Sequence, residues 1–380
     1  MEGLFSAVCQ ASPTGLSQSA LGYWVAFNRV LGIGPVRFRL LLSYFRDDLA
    51  MAWTADRREL ARAGLDQRVV ERFLLQRAKI EPAREIERLE KAGVNVLTWR
   101  DQGYPALLRE IDGSPPVLYL KGQLCESDQF ALAVVGTRNA GTYGQQVTER
   151  LVTDLVRGSM TIVSGLALGI DTVAHRTALD AGGRTLGVLA CGLDVVYPAR
   201  NASLARRIGE EGQGALISEY PLGVRPESGN FPARNRIISG LSQGVLVVEA
   251  GERSGALLTA EFASKQGREV FAVPGSIFAS RSSGTNKLLR DGAHVVLEVK
   301  DILNELNLFM VPLLVEAQAT LPENSEESTL LALLSHEPVH INDLILASDL
   351  NAPTVTATLT MLELKGLVRA VGSTQFVLAR

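Results

Sequence analysis

The chain is predicted to be an α/β protein: a mostly parallel sheet at its centre, a helical domain before it and a winged-helix module after it. Three observations predict this. Between about residues 112 and 300, short β-branched runs alternate with helical patterns, as βαβ units do. Ahead of them, apolar residues recur at helical spacing on both sides of a glycine–proline turn. Behind them, three helical patterns precede two short strand-like runs, separated from the centre by an acidic linker.

The expected boundaries are a tail at 1–18, a helical domain at 19–110, the α/β core at 111–300, a linker at 301–327 and the winged helix at 328–380. A chain of 380 residues with 46% hydrophobic and 21% charged residues has material for such cores. No apolar run approaches the roughly 18 residues of a membrane span. The start, MEGLFSAVCQ, has an acid where a secretory leader has bases, so a cytoplasmic protein without membrane insertion is expected. Cys9, Cys125 and Cys191 are far apart and form no CxxC pair, so incidental thiols are expected rather than a disulfide framework. Four histidines without ligand spacing predict no metal site. Charge is uneven: residues 1–110 carry +3, 111–300 carry +1, and 301–380, with three basic and ten acidic residues, carry −7.

In order along the chain, GIGP (32–35) joins two helical patterns. Its amides suit either a DNA phosphate, as in a helix-hairpin-helix, or plain helix packing. Core strands are expected at 131–136, 160–165, 185–192, 215–220, 244–250, 269–275 and 294–299. Their near-continuous apolar character fits a sheet covered on both faces. Ligands of such sheets bind at the carboxyl ends of the strands, and three glycine-bearing turns fall there. VGTRNAGTYG contributes Gly136, Thr137 and Arg138; SGLALGID contributes Ser164, Gly165 and Gly169; ERSGALLTAE contributes Ser254 and Gly255. Together they predict an amide-lined anion rim with an arginine in it.

The anion is not a nicotinamide dinucleotide or a P-loop nucleotide, because neither GxGxxG with its acid nor GxxxxGK[ST] is present. Asp171 and His175 share a helix face, but Asp171 reads better as a helix cap than as an acid–base partner. The cluster FPARNR adds a ring at Phe231, guanidinium groups at Arg234 and Arg236, and a donor–acceptor amide at Asn235. A ring and cations beside a glycine-lined rim suit single-stranded nucleic acid. The competing expectation for Arg236 is an internal pair with an acid such as Glu249.

The succession VGTRNAGTYG, SGLALGIDTVAH, GLDVVYPARN, ISEYPLG, FPARNRIISGLS, VVEAGERSGALLTA, VPGSI and LLRDGA resembles the DNA-processing protein A (DprA/Smf) family over nearly all of 112–300. The resemblance implies an extended Rossmann-like core, a SAM-like helical N-terminal domain and a C-terminal winged helix. It implies a homodimeric single-stranded DNA-binding protein, not an enzyme and without a cofactor. Such a protein protects incoming DNA in natural transformation and loads a RecA-type recombinase. The family's G-[ST]-x-R motif falls on Gly136, Thr137 and Arg138, and its F-P-x-R-N-R motif on Phe231, Pro232, Arg234, Asn235 and Arg236. A lysine often stands three residues before the phenylalanine; here Ser228 does, which implies that one phosphate contact is either missing or supplied by Arg225. Self-association is expected near GTNKLLRDGAHVV, through Leu289 and Val295. The alternative function is a nucleotide phosphoribohydrolase using Glu249 or Glu261, against which stands the missing PGGxGT. The acidic winged helix, with only Lys365 as a cation on its recognition helix, is expected to contact protein rather than DNA.

Overall fold

The computed structural model describes residues 15–308, 325–335, 338–348, 350–364, 368–370 and 375–378. Six helices open the chain: α1 (Gln18–Arg29), α2 (Pro35–Tyr44), α3 (Leu49–Thr54), α4 (Arg57–Arg62), α5 (Gln67–Arg77) and α6 (Pro82–Lys91). Short polar side chains start four of them. Ser17, Asp48, Asp56 and Asp66 each accept a first-turn amide, and Asp56 closes a reciprocal capping box with Glu59. At GIGP, Gly32 takes a φ of +99° and Pro35 opens α2. The amides of Leu31 and Ile33 already donate to Gln76 and to Val30, which favours the packing reading of this turn. Trp24, Phe27, Phe38, Trp53 and Phe73 form the buried aromatic centre, with Phe27 and Phe73 stacked at 5.3 Å.

A nine-stranded sheet follows, in the order β1-β2-β6-β5-β4-β3-β7-β8-β9. The strands are β1 (Asn95–Thr98), β2 (Val117–Gly122), β3 (Ala131–Val135), β4 (Thr161–Ser164), β5 (Thr185–Val188), β6 (Gly214–Ser218), β7 (Gly244–Val247), β8 (Glu269–Ala272) and β9 (His294–Val295). From β6 to β9 every pairing is parallel, whereas β1 and β2 join antiparallel at one edge. The seven expected core strands are all present but end earlier, because their carboxyl ends turn at once into loops. The first pair differs from expectation: residues 95–98 lie within a stretch expected to be helical, yet they extend the core sheet through β2.

Helices cover both faces: α7 (Ala106–Glu110), α8 (Thr142–Arg157), α9 (Ile170–Asp180), α10 (Ala202–Glu210), α11 (Asn230–Gly240), α12 (Gly255–Lys265), α13 (Ser283–Arg290) and α14 (Val299–Glu305). One buried cluster joins alternate residues of β3, β5 and β7 to Ile237 and Ile238 of α11, and another joins Leu132, Val134 and Leu246 to α8 and α9. Chain order runs outward from β3 to β6, then returns to the other flank of β3 with β7. That reversal places a switch point between β3 and β7, where loop ends diverge and leave a crevice.

Cys191 is a free, buried thiol. Cys125 departs from the expectation, being held in a disulfide. Residues 310–380 form a separate unit. Its described parts are α15 (Ser325–Leu333), β10 (Val339–His340), α16 (Ile341–Ser348), α17 (Ala352–Leu364), β11 (Val368–Ala370) and β12 (Gln375–Leu378), with the strands ordered β10-β12-β11. This is the three-helix, small-sheet plan of a winged helix; Lys365 lies outside the described residues. No described helix is long and apolar enough to cross a membrane.

Candidate nucleic-acid interface

The three glycine-bearing turns meet at the carboxyl ends of β3, β4 and β7. The loop after β3 carries Gly136, Thr137 and Arg138, and it is pressed against its neighbours. A Cβ on Gly136 would lie 2.5 Å from the Ile170 side chain and 2.9 Å from the Glu249 carbonyl. Gly169, with a φ of +78°, approaches more closely still: a Cβ there would sit 2.2 Å from the Thr137 oxygen. Ile170 then donates its amide to that oxygen at 3.2 Å.

Much of the expected amide rim is already engaged inside the protein, which corrects the simple anion-cradle reading. Thr137 donates to the Glu249 carbonyl at 2.7 Å, and Gly141 donates to the Glu249 carboxylate at 2.9 Å. Gly165 and Ala167 donate to the Asp171 carboxylate at 3.1 and 3.3 Å. Asp171 is thus a buried loop clasp, and its burial raises its pKa. The Ser164 hydroxyl is likewise buried and donates to the Val134 carbonyl at 2.7 Å. His175 pairs through Nδ1 with the Thr185 hydroxyl at 2.7 Å; complete burial holds its imidazole down at about 3.

FPARNR forms the first two turns of α11, and the helix divides its members. Arg234 lies on the same face as Ile237, Ile238 and Leu241, three, four and seven positions on, and all four are buried. It does not face solvent as expected. Its guanidinium donates to the Gly165 carbonyl at 2.7 Å and to the Val188 carbonyl, bracing the ends of β4 and β5. Desolvation pulls it down to about 10, opposed by the Asp171 carboxylate. A Cβ on Gly165 would lie 2.5 Å from this guanidinium, so Gly165 is also a packing position.

Arg236 takes the internal option, with a different acid from the one named. It makes a two-pronged ion pair with Glu219, both contacts at 2.6 Å, and donates to the Gly113 carbonyl at 3.1 Å. Glu249, the acid expected there, instead supports the loop after β3.

The amino-terminal turn of α11, residues 230–233, is the accessible part. Phe231 is half-buried, and the exposed Arg138 guanidinium lies 5.4 Å from its ring centroid. Tyr197, 45% exposed, lies 5.4 Å from the same ring, tilted by 59° to it. Sequence reasoning missed Tyr197, although it stands inside the motif GLDVVYPARN. Asn201 of that motif fixes the segment by donating to the Leu166 carbonyl at 2.8 Å and to the Thr172 hydroxyl at 2.9 Å. Asn235, half-buried, reaches the Gly255 carbonyl at 3.3 Å, which brings the start of α12 to the same place. Ser254 caps α12 by accepting from Ala256. Arg225 and Ser228 are exposed on the approach to α11.

The carboxylates considered for hydrolysis are otherwise engaged: Glu249 is buried against Gly141, and Glu261 is exposed along α12 in a pair with Lys265 at 2.6 Å. Leu289 and Val295 lie away from the strand ends of the switch point. Leu289 is half-buried on α13, and Val295 is 48% exposed on β9.

The sequence pattern of the DNA recombination-mediator protein A family matches residues 95–307, and that of the DprA winged helix domain matches 315–372. The chain belongs to the DNA recombination-mediator protein A family. Protein Smf of Synechocystis is 36% identical, over 93% of this chain and 97% of its own length. Protein Smf of Escherichia coli is 38% identical, over 88% of this chain and 93% of its own. The X-ray structure of Streptococcus pneumoniae DNA processing protein A aligns with a TM-score of 0.66 at 36% identity, covering 75% of this chain and 97% of that one. Helicobacter pylori DNA processing protein A, studied for its single-stranded DNA binding mode, aligns with a TM-score of 0.50 at 30% identity, covering 56% and 95%. Family members are named as DNA-processing and recombination-mediator proteins. The family's sequence match begins at residue 95, where β1 begins.

Proposed function

We propose that this chain binds single-stranded DNA across the carboxyl ends of β3, β4 and β7, without catalysis, and passes it to a RecA-type recombinase. One observation carries the reading: Arg138, exposed and without an ion-pair partner among the described residues, lies over Phe231, and Tyr197 packs near the same ring. A forked cation joined to a tier of rings offers a phosphate grip next to surfaces on which bases stack. Gly136, Thr137, Arg138, Phe231, Asn235, Ser254 and Gly255 form the contact surface in this reading. Ser164, Gly165, Gly169, Arg234 and Arg236 hold it in shape from below. The single-stranded DNA binding described for the Helicobacter pylori relative supports it.

Self-association belongs to the same proposal, through the β9 edge, where Val295 and Leu297 are 48% and 69% exposed. A two-residue strand at the end of a sheet leaves backbone groups open to a second copy. Leu289 would flank that contact.

The test is titration with oligo-dT at several salt concentrations, with a duplex of equal length beside it. Binding should fall with salt at a log–log slope of roughly −0.7 per phosphate neutralised. Arg138→Ala should weaken binding about tenfold and flatten the slope, while Phe231→Ala should weaken it with the slope kept. Binding unchanged in both variants overturns the reading. Release of free base from a nucleotide, lost in Glu261→Gln, would establish the hydrolase instead.

A further inference from the structure

The loop after β8, residues 274–282, does not belong to the three turns described above. It carries Ile277 and Phe278, 85% and 92% exposed, followed by the exposed Arg281. A phenylalanine so displayed forgoes the favourable burial of its ring, so its position needs a cause. The loop is firmly built. Gly275 exchanges two hydrogen bonds with the Asn286 side chain, at 3.2 and 3.0 Å, and Ala279 and Ser282 close successive turns on Ser276 and Ala279.

The same loop is fixed to the crevice on two sides. The Tyr143 hydroxyl, from the first turn of α8, donates to the Pro274 carbonyl at 2.8 Å. Gly284 donates to the Ala250 carbonyl at 2.8 Å, beside the loop after β7. Arg281 reaches back toward the loop of Arg138: a Cβ on Gly141 would lie 3.0 Å from its Nη1. Like Arg138, Arg281 has no ion-pair partner among the described residues. Among the described residues, the crevice thus has an arginine without an ion-pair partner and an accessible ring on each bank, Arg138 with Phe231 and Arg281 with Phe278.

We propose that the loop after β8 is the second bank of the nucleic-acid track, with Arg281 holding a phosphate and Phe278 stacking on a base beyond those held at Phe231. This rests on the single-stranded DNA reading of the first bank and extends it across β7 to β8. The occupant is a polynucleotide because the exposed apolar residues adjoin unpaired cations, a pairing suited to alternating base and phosphate. An apolar protein partner would match Ile277 and Phe278 but leave the arginines without counter-charge.

The experiment measures affinity for dT oligonucleotides of increasing length with the full chain and with Arg138→Ala, Phe278→Ala and Arg281→Ala. Phe278 and Arg281 are exposed, so thermal unfolding of their variants should match the parent. Phe278→Ala and Arg281→Ala should each lose roughly fivefold in affinity for long oligomers. They should leave the shortest oligomer that still binds unchanged, whereas Arg138→Ala should weaken every length. Phe278→Trp should restore long-oligomer binding, which a requirement for aliphatic packing would not. Parent-like affinity of both loop variants at all lengths, with Arg138→Ala still impaired, overturns the second bank and leaves the first intact. Parent-like DNA binding with an altered molecular mass in Phe278→Ala overturns it in favour of a protein contact. No oligo-dT binding by the parent chain removes both readings.

Discussion

The two arginines Arg138 and Arg234 serve the same sheet end in opposite ways. One stands at the rim, solvated, without an ion-pair partner among the described residues and laid over a ring. The other lies beneath, buried to 4% exposure, joined to two carbonyls at strand ends. What separates rim from underlayer is not residue type but position on the helix or turn that carries it. The lower layer fixes where the strand ends and loops lie; the upper layer has its cations left over for a guest. A substitution in the lower layer should therefore register as stability, and one in the upper layer as affinity.

That division can be broken by experiment. The largest effect is expected for Arg234→Ala, which strands the Gly165 and Val188 carbonyls and leaves Asp171 without its buried cation. Urea unfolding should show a loss of roughly 3–5 kcal/mol; a parent-like midpoint would place Arg234 in the upper layer after all. Arg236→Ala should cost about 2–3 kcal/mol, less because solvent reaches 14% and 16% of the paired side chains. A double-mutant cycle with Glu219→Gln should return a coupling above about 1 kcal/mol.

His175 sharpens the picture through pH. Folded, it titrates at about 3; unfolded, at the ordinary 6.5. Between those values the unfolded chain binds the extra proton, so stability falls as pH drops through that window. Lowering pH from 7.5 to 5 should remove about 2 kcal/mol through this one side chain. His175→Gln should flatten that part of the profile; an equally steep profile would mean the imidazole is not held neutral. The smallest effects mark the upper layer and the acidic module. Arg138→Ala should leave stability within about 0.5 kcal/mol. Deleting 320–380 should change oligo-dT affinity less than about twofold, since that region is acidic; abolished binding would contradict it.

The seven core strands were legible because parallel strands covered on both faces are β-branched and apolar throughout. β1 was not, because NVLT comes three residues after the amphipathic helix α6 and is only four residues long. Convergence of the glycine turns was legible from their place after strands. Their amide bonding was not, because the acceptors come from remote positions: Glu249 lies 108 residues from Gly141. The burial of Arg234 did have a signal. It precedes Ile237, Ile238 and Leu241 at helical spacing, so it continues an apolar stripe one turn deeper than Phe231. For Arg236 the periodicity was silent, because its partner Glu219 lies in the segment after β6. Arg281 and Tyr197 were overlooked because loops carry no periodic signature.

The contact of Gly169 with the Thr137 oxygen has a kinetic consequence. Two turns that meet main chain to main chain resist swinging apart as a gate, so under the proposed reading an arriving polyanion would find a ledge already set. Capture there would be limited by diffusion and ionic atmosphere, and added salt would slow arrival rather than any opening step.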